Sequence, residues 1–153
     1  MERLRSALEE TFAAGFIAYY KAHVSHVNIT GKDFYQYHKL LQKIYTYLGD
    51  NIDTVAEKLR TIKALMPRDL NTVLELSPIP DVPVVGVAED MLREVLESIK
   101  EMIDQWHLVN DAAEQVNYID ISNFAQDQIG QLAAFKWMLE ATLDDEPDAD
   151  SDD

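Results

Sequence analysis

Four of the five prolines in this 153-residue chain fall between positions 67 and 83. A proline inside a helix removes a backbone hydrogen bond and clashes with the carbonyl four residues earlier, so no long helix crosses that stretch. On either side of it the apolar residues recur at spacings of three and four, the period of a helix with one buried face. Leu4, Leu8, Phe12, Phe16, Tyr19 and Tyr20 predict a first helix over residues 2–28, with its break at Gly31. Asp33, followed three residues later by Gln36, reads as a capping box opening a second helix over residues 34–63. Its stripe is Leu41, Ile44, Leu48, Ile52, Val55, Leu59 and Ile62; Gly49 inside it costs about 1 kcal/mol relative to alanine. Beyond the prolines, Met91, Leu92, Val95, Leu96, Ile99, Met102, Ile103 and Trp106 predict a third helix over 88–115. Phe124, Ile129, Leu132, Phe135, Met138 and Leu139 predict a fourth over 121–143, and one short helix fits 69–76.

Two helical pairs, each closed by a short turn and joined by one long link, make an all-α fold. It is a four-helix bundle with a long crossover between helices two and three, the ferritin-like arrangement. Residues 1–143 are read as that bundle and 144–153, with seven acidic residues, as an acidic disordered tail. The absence of cysteine excludes disulfide frameworks, thiol catalysis and thiolate zinc sites. The uncharged stretch 11–20 is too short to span a bilayer, and no basic segment with a cleavage site precedes it, so the expected address is the cytoplasm.

The net charge is −15 and is unevenly spread. Residues 1–68 carry 10 basic and 7 acidic groups, whereas residues 69–153 carry 3 and 21. Such a chain is not expected to condense onto DNA, because Arg3 and Arg5 make too small a basic patch to outweigh the rest.

The candidate chemistry lies around the first turn and along the second helix. His26 and His38 flank the turn; Asp53 and Glu57, four apart, face the same way farther along. Two imidazoles and two carboxylates suit iron, combining borderline nitrogen with hard oxygen. Spacing alone leaves open that the histidines pack the turn and the acids form a solvated face. His38 and Asp53 are separated by 15 residues of one helix, about 22 Å, so no single ion can touch both. If all four are ligands, the site is shared between two chains. A two-fold dimer with antiparallel second helices would then hold two identical sites.

The stretch from Ala22 through His23, His26, Asn28, Gly31 and Phe34 to His38, together with Asp53-Thr54-Val55-Ala56-Glu57-Lys58-Leu59-Arg60, resembles the signatures of the Dps family of mini-ferritins. The end of the last helix, Trp137-Met138-Leu139-Glu140, is similar too, and the resemblance spans residues 4–143. It implies a ferroxidase: a homo-oligomeric shell of twelve that binds Fe(II) at dimer-interface sites through His26, His38, Asp53 and Glu57. Such a shell oxidises the iron with hydrogen peroxide in preference to dioxygen and stores ferric mineral inside.

Three departures qualify the resemblance. Val27 stands where the family usually has Trp, with Tyr45 and Tyr47 as the substitute rings. Gln42 stands where a carboxylate often helps a second iron position. The lysine-rich tail that serves DNA binding in many members has no counterpart. The resemblance also implies acid-lined entry pores near the start of the last helix, where Asp120, Asn123 and Asp127 share one stripe. Competing readings are a shell that has lost efficient oxidation and a DNA-protecting protein. A monomeric di-iron oxidase would want Glu-x-x-His on two helices, which does not occur.

Overall fold

The structure is a computed structural model that describes residues 1–144; the expected acidic tail lies, from residue 145 on, outside the described residues. Among the described residues there are five helices and no strand: α1 (Glu2–Asn28), α2 (Phe34–Thr61), α3 (Leu70–Leu76), α4 (Ala88–Gln115) and α5 (Ile119–Leu143). No helix among them is long and apolar enough to cross a membrane.

Helix ends follow local chemistry. α2 stops at Thr61, short of the expected 63, because Lys63 takes a left-handed conformation at φ 64°. There the Lys63 N–H donates to the Arg60 carbonyl at 3.0 Å and the Ala64 N–H to the Leu59 carbonyl at 2.9 Å, closing the helix in a Schellman motif. Asn117, at φ 59°, closes α4 in the same way through Glu114 and Ala113, and α5 then starts at Ile119, two residues earlier than expected. The capping box at Asp33 is not formed. Its backbone sits at φ −102° and ψ 20°, not in the extended region from which an N-cap side chain reaches back into the helix, and it makes no cap hydrogen bond. Asp69 does cap α3, accepting from the Thr72 N–H at 2.8 Å and the Thr72 hydroxyl at 3.0 Å; these bonds hold its carboxyl below the usual range.

Cross-helix contacts fix the directions. Arg3 donates to Gln115 at 3.0 Å and Lys21 meets Glu94 at 3.3 Å, so α1 and α4 are antiparallel. Lys58 meets Asp120 at 3.1 Å and Tyr47 donates to Gln128, so α2 and α5 are antiparallel as well. With two tight hairpins, the long link leaves α2 and α4 running the same way. Trp106, Leu4, Leu8, Leu92, Ile99, Ile121 and Leu132 are fully enclosed. Gly49 has a packing reason that its sequence cost conceals: a Cβ there would stand 3.1 Å from the Tyr19 ring. Tyr20, expected on the buried stripe, is 59% exposed.

The bundle interior is polar in places, but among the described residues no carboxylate is buried in it. Its buried polar residues among those described are Thr11, Lys21, Ser25, His26, Ser98, Gln105, Ser122 and Gln128. Among the described residues there are thus no buried carboxylates on facing helices of the kind that a metal site at the centre of a single bundle uses.

Candidate metal centre

The turn after α1 brings His26 and His38 together. Ile29 leaves the helix in an extended conformation and is buried; Gly31 then turns the chain at φ 122°, a value L side chains rarely adopt. The Phe34 N–H donates back to the Gly31 carbonyl at 3.2 Å and α2 begins. His26, in the last turn of α1, meets His38, in the second turn of α2.

The two histidines are locked reciprocally. His26 Nδ1 lies 2.7 Å from the His38 carbonyl and His38 Nδ1 lies 2.7 Å from the His26 carbonyl. A carbonyl can only accept, so both Nδ1 atoms carry a proton, and in the neutral form of either ring the lone pair lies on Nε2. That is the tautomer a metal ligand needs. The rings stack with centroids 3.7 Å apart and planes 16° from parallel. Phe34 stacks on the far side of His38 at 4.9 Å, and Tyr45 sets its edge against His26 at 4.9 Å. His26 is 8% exposed, and burial pushes its pKa below the ordinary imidazole value, against the opposing hydrogen bond to His38. The ring is therefore neutral at physiological pH.

Asp53 and Glu57 are exposed on α2 and do not reach the histidines. Asp53 borders an open groove of about 500 Å³ with Tyr19, Tyr45, Gly49, Asp50 and Met66. Among the described residues no group of three or more His, Asp or Glu side chains converges within the chain. One protomer thus carries a histidine pair at the turn and, some four turns along α2, a separate pair of exposed carboxylates.

The remaining candidates separate. Tyr45 lies beside the histidine pair, but Tyr47 turns into the bundle, where it donates to Gln128, packs on Phe135 at 5.3 Å and has its pKa pushed up to about 12 by burial. It is not beside the site. Val27, Gln42 and His107 are exposed. Asp120, Asn123 and Asp127 all face outward on α5, and Asp120 spends its charge on Lys58. Sequence reasoning missed the surroundings of His23. Its ring stacks on Tyr45 at 4.5 Å and stands 6.2 Å from His26. The only available signal was its place one helical turn before His26.

Comparison with known proteins gives the lineage. Residues 5–148 match the ferritin-like domain family. The chain is 26% identical over 137 residues to the DNA protection during starvation protein of Helicobacter pylori, covering 89% of this chain and 95% of that one. It is 25% identical to the protein of the same name from Brevibacillus brevis, covering 90% and 92%. The Dps protein of Vibrio cholerae O1, described as a ferritin-like diiron-carboxylate protein, superposes with a TM-score of 0.87 over 93% of this chain and 89% of that one, at 24% identity. The shared bundle, the one long link and the match along nearly the whole chain lead to one conclusion: this chain belongs to the ferritin-like family and, within it, to the Dps proteins.

Proposed function

We propose that the protein is an iron-storing mini-ferritin that oxidises Fe(II) at sites shared between two protomers. In this reading His26 and His38 face Asp53 and Glu57 of the partner subunit across a two-fold axis, and twelve chains close a hollow shell. The observation that carries it is the reciprocal lock: two buried or half-buried imidazoles, held as Nδ1–H tautomers, with both Nε2 lone pairs unspent.

The chemistry follows from the donors. The rings stack 3.7 Å apart, and each has one ring nitrogen that is not bonded to a carbonyl. Neutral nitrogen holds Fe(II); the carboxylates favour Fe(III) and so lower the potential at which the electron leaves. Two Fe(II) ions each give one electron, the O–O bond of hydrogen peroxide takes both, and with two protons it leaves as two waters. One-electron cleavage, which would release hydroxyl radical, is avoided. Val27, Phe34 and Tyr35 around the histidine pair, and Met66 beside the groove, are large apolar side chains left 40–65% exposed in one protomer, surface that an assembled shell would cover.

Sedimentation across a range of salt should give a particle of twelve 17.5 kDa protomers; monomer or dimer alone would overturn the shell. Duplex DNA should not be retarded in a gel near physiological salt, because −15 per chain is multiplied by assembly. Tight binding at that salt would refute the charge argument and direct attention to Arg3 and Arg5.

Iron must enter such a shell, and a three-fold pore triples each acid on its rim. If Asp120, Asn123 and Asp127 line it, replacing both aspartates by asparagine should slow uptake most at low ionic strength, where screening is weak. Lys58 already offsets Asp120, so Asp127→Asn alone should account for most of the loss. An unchanged uptake rate at low salt would remove this stripe from the iron path.

A further inference from the structure

We propose that two copies of the chain are held in register by reciprocal ion pairs, Lys43 of each protomer reaching Asp50 of the partner subunit. These pairs rest on the reading of the site as shared across a two-fold axis, and they fix where that axis falls. Along α2, Lys39, Lys43, Thr46, Asp50, Asp53 and Glu57 follow one another at steps of four and three. They form one stripe down the helix, and every one of them is exposed. The charge on the stripe is sorted, with lysines on one side of Thr46 and carboxylates on the other.

Nothing within the chain balances that sorting. The positions three and four away from Lys43, and likewise from Asp50, hold no opposite charge; Lys39 stands four before the one and Asp53 three after the other. Lys43 and Asp50 are seven residues apart, about 10 Å along the helix, too far to meet in one chain. Neither side chain makes a hydrogen bond or ion pair among the described residues. Lys39, by contrast, lies over its own Tyr35 ring at 5.5 Å.

A second copy running antiparallel supplies both missing partners. With the two-fold axis at the level between Thr46 and Tyr47, each Lys43 is level with Asp50 of the partner subunit. The same axis brings His38 level with the midpoint between Asp53 and Glu57 of the partner subunit, so the ion pairs and the shared site require one register. The receiving surface suits a lysine. Asp50 and Asp53 border the open groove of about 500 Å³, whose other walls include Phe12, Tyr19, Ile52 and Met66. A lysine lays its methylene stem along apolar surface and keeps its ammonium at the polar edge. A parallel, in-register copy would set lysine against lysine and carboxylate against carboxylate, so the stripe also rejects that orientation.

The test uses the full-length protein as it assembles, without iron. A carbodiimide joins an ammonium to a carboxylate only where the two already touch, and leaves no spacer between them. In particles reassembled from equal parts of ¹⁵N-labelled and unlabelled protein, mass spectrometry should find Lys43 coupled to Asp50 with one peptide of each label. Lys43→Glu and Asp50→Lys, each alone, should raise the protein concentration needed for half-assembly at least about tenfold at low salt, because like charges then face one another. Lys43→Glu with Asp50→Lys in the same chain should return assembly to the wild-type concentration. Coupling confined to peptides of one label, or single reversals that assemble like wild type, would overturn the proposal. Coupled particles that fail to oxidise Fe(II) would sustain the pairing and sink the iron reading; fast oxidation in particles without that coupling would do the reverse.

Discussion

Replacing Asp53 and Glu57 together by alanine should slow peroxide-driven Fe(II) oxidation by at least about 100-fold, since changes merely behind a metal's ligands already cost 10–100-fold. Both residues are exposed and neither makes a hydrogen bond or ion pair among the described residues. Thermal stability and particle mass should therefore stay within the small range of surface substitutions, about 0.5 kcal/mol. The appearance of ferric absorbance after mixing Fe(II) with peroxide checks the first expectation, and a melting curve on the same sample checks the second. Fast oxidation surviving in an intact shell would show that these carboxylates are not the oxygen donors. It would also be compatible with a shell whose chemistry happens elsewhere. A slow wild type would instead favour the reading in which Gln42 and Val27 mark a protein that kept its assembly and lost efficient oxidation.

Gly31→Val should damage fold and site together. At φ 122° a β-branched side chain is strained by about 1–3 kcal/mol. For a domain of this size each kcal/mol lowers the melting temperature by roughly 2–4 °C. The open space around Gly31, with nothing within 4 Å of an added Cβ, means that the cost comes from the backbone and not from a clash. If the chain relieves the strain by opening the turn, the two 2.7 Å bonds between Nδ1 atoms and carbonyls lengthen and the tautomer lock is lost. Metal affinity should then fall along with stability. Lys32→Ala, at the exposed neighbouring position, is the control and should move neither. A Gly31→Val protein with unchanged melting temperature and unchanged Co(II) affinity would show that the turn does not hold the pair in place.

The helices were legible because their cause is periodic. A buried stripe repeats every three or four residues, and prolines forbid what lies between, so α1, α3 and α4 fall within a residue of where Leu4–Tyr20, Asp69 and Met91–Trp106 put them. What periodicity does not carry is the handedness of a single residue. Lys63 and Asn117 end their helices in left-handed conformations that no stripe announces, and Asp33 turns too early for its carboxylate to reach back. The candidate site divides in the same way. Spacing placed His26 and His38 on either side of one turn and kept Asp53 about 22 Å from His38, so that the four can share an ion only if a second chain takes part. The reciprocal carbonyl bonds, the stack, and the ring cluster of His23 with Tyr45 depend on side-chain rotamers and on which helix faces meet. Residue types at a spacing do not specify those. Tyr47 shows the converse: two residues from Tyr45 on the same helix, it points to the bundle interior and Gln128.

The central claim is that each site is assembled from two chains, and mixed shells test it most directly. Asp53→Ala/Glu57→Ala protomers retain the histidine pair, and His26→Ala/His38→Ala protomers retain the carboxylates. Each variant alone should be inactive. When the two are dissociated, mixed and reassembled, every interface that joins unlike protomers regains one complete site. Peroxide-driven Fe(II) oxidation should reappear, in proportion to the fraction of mixed interfaces measured by mass spectrometry. Shells demonstrably mixed yet as inactive as either parent would contradict the account and locate the chemistry within a single chain.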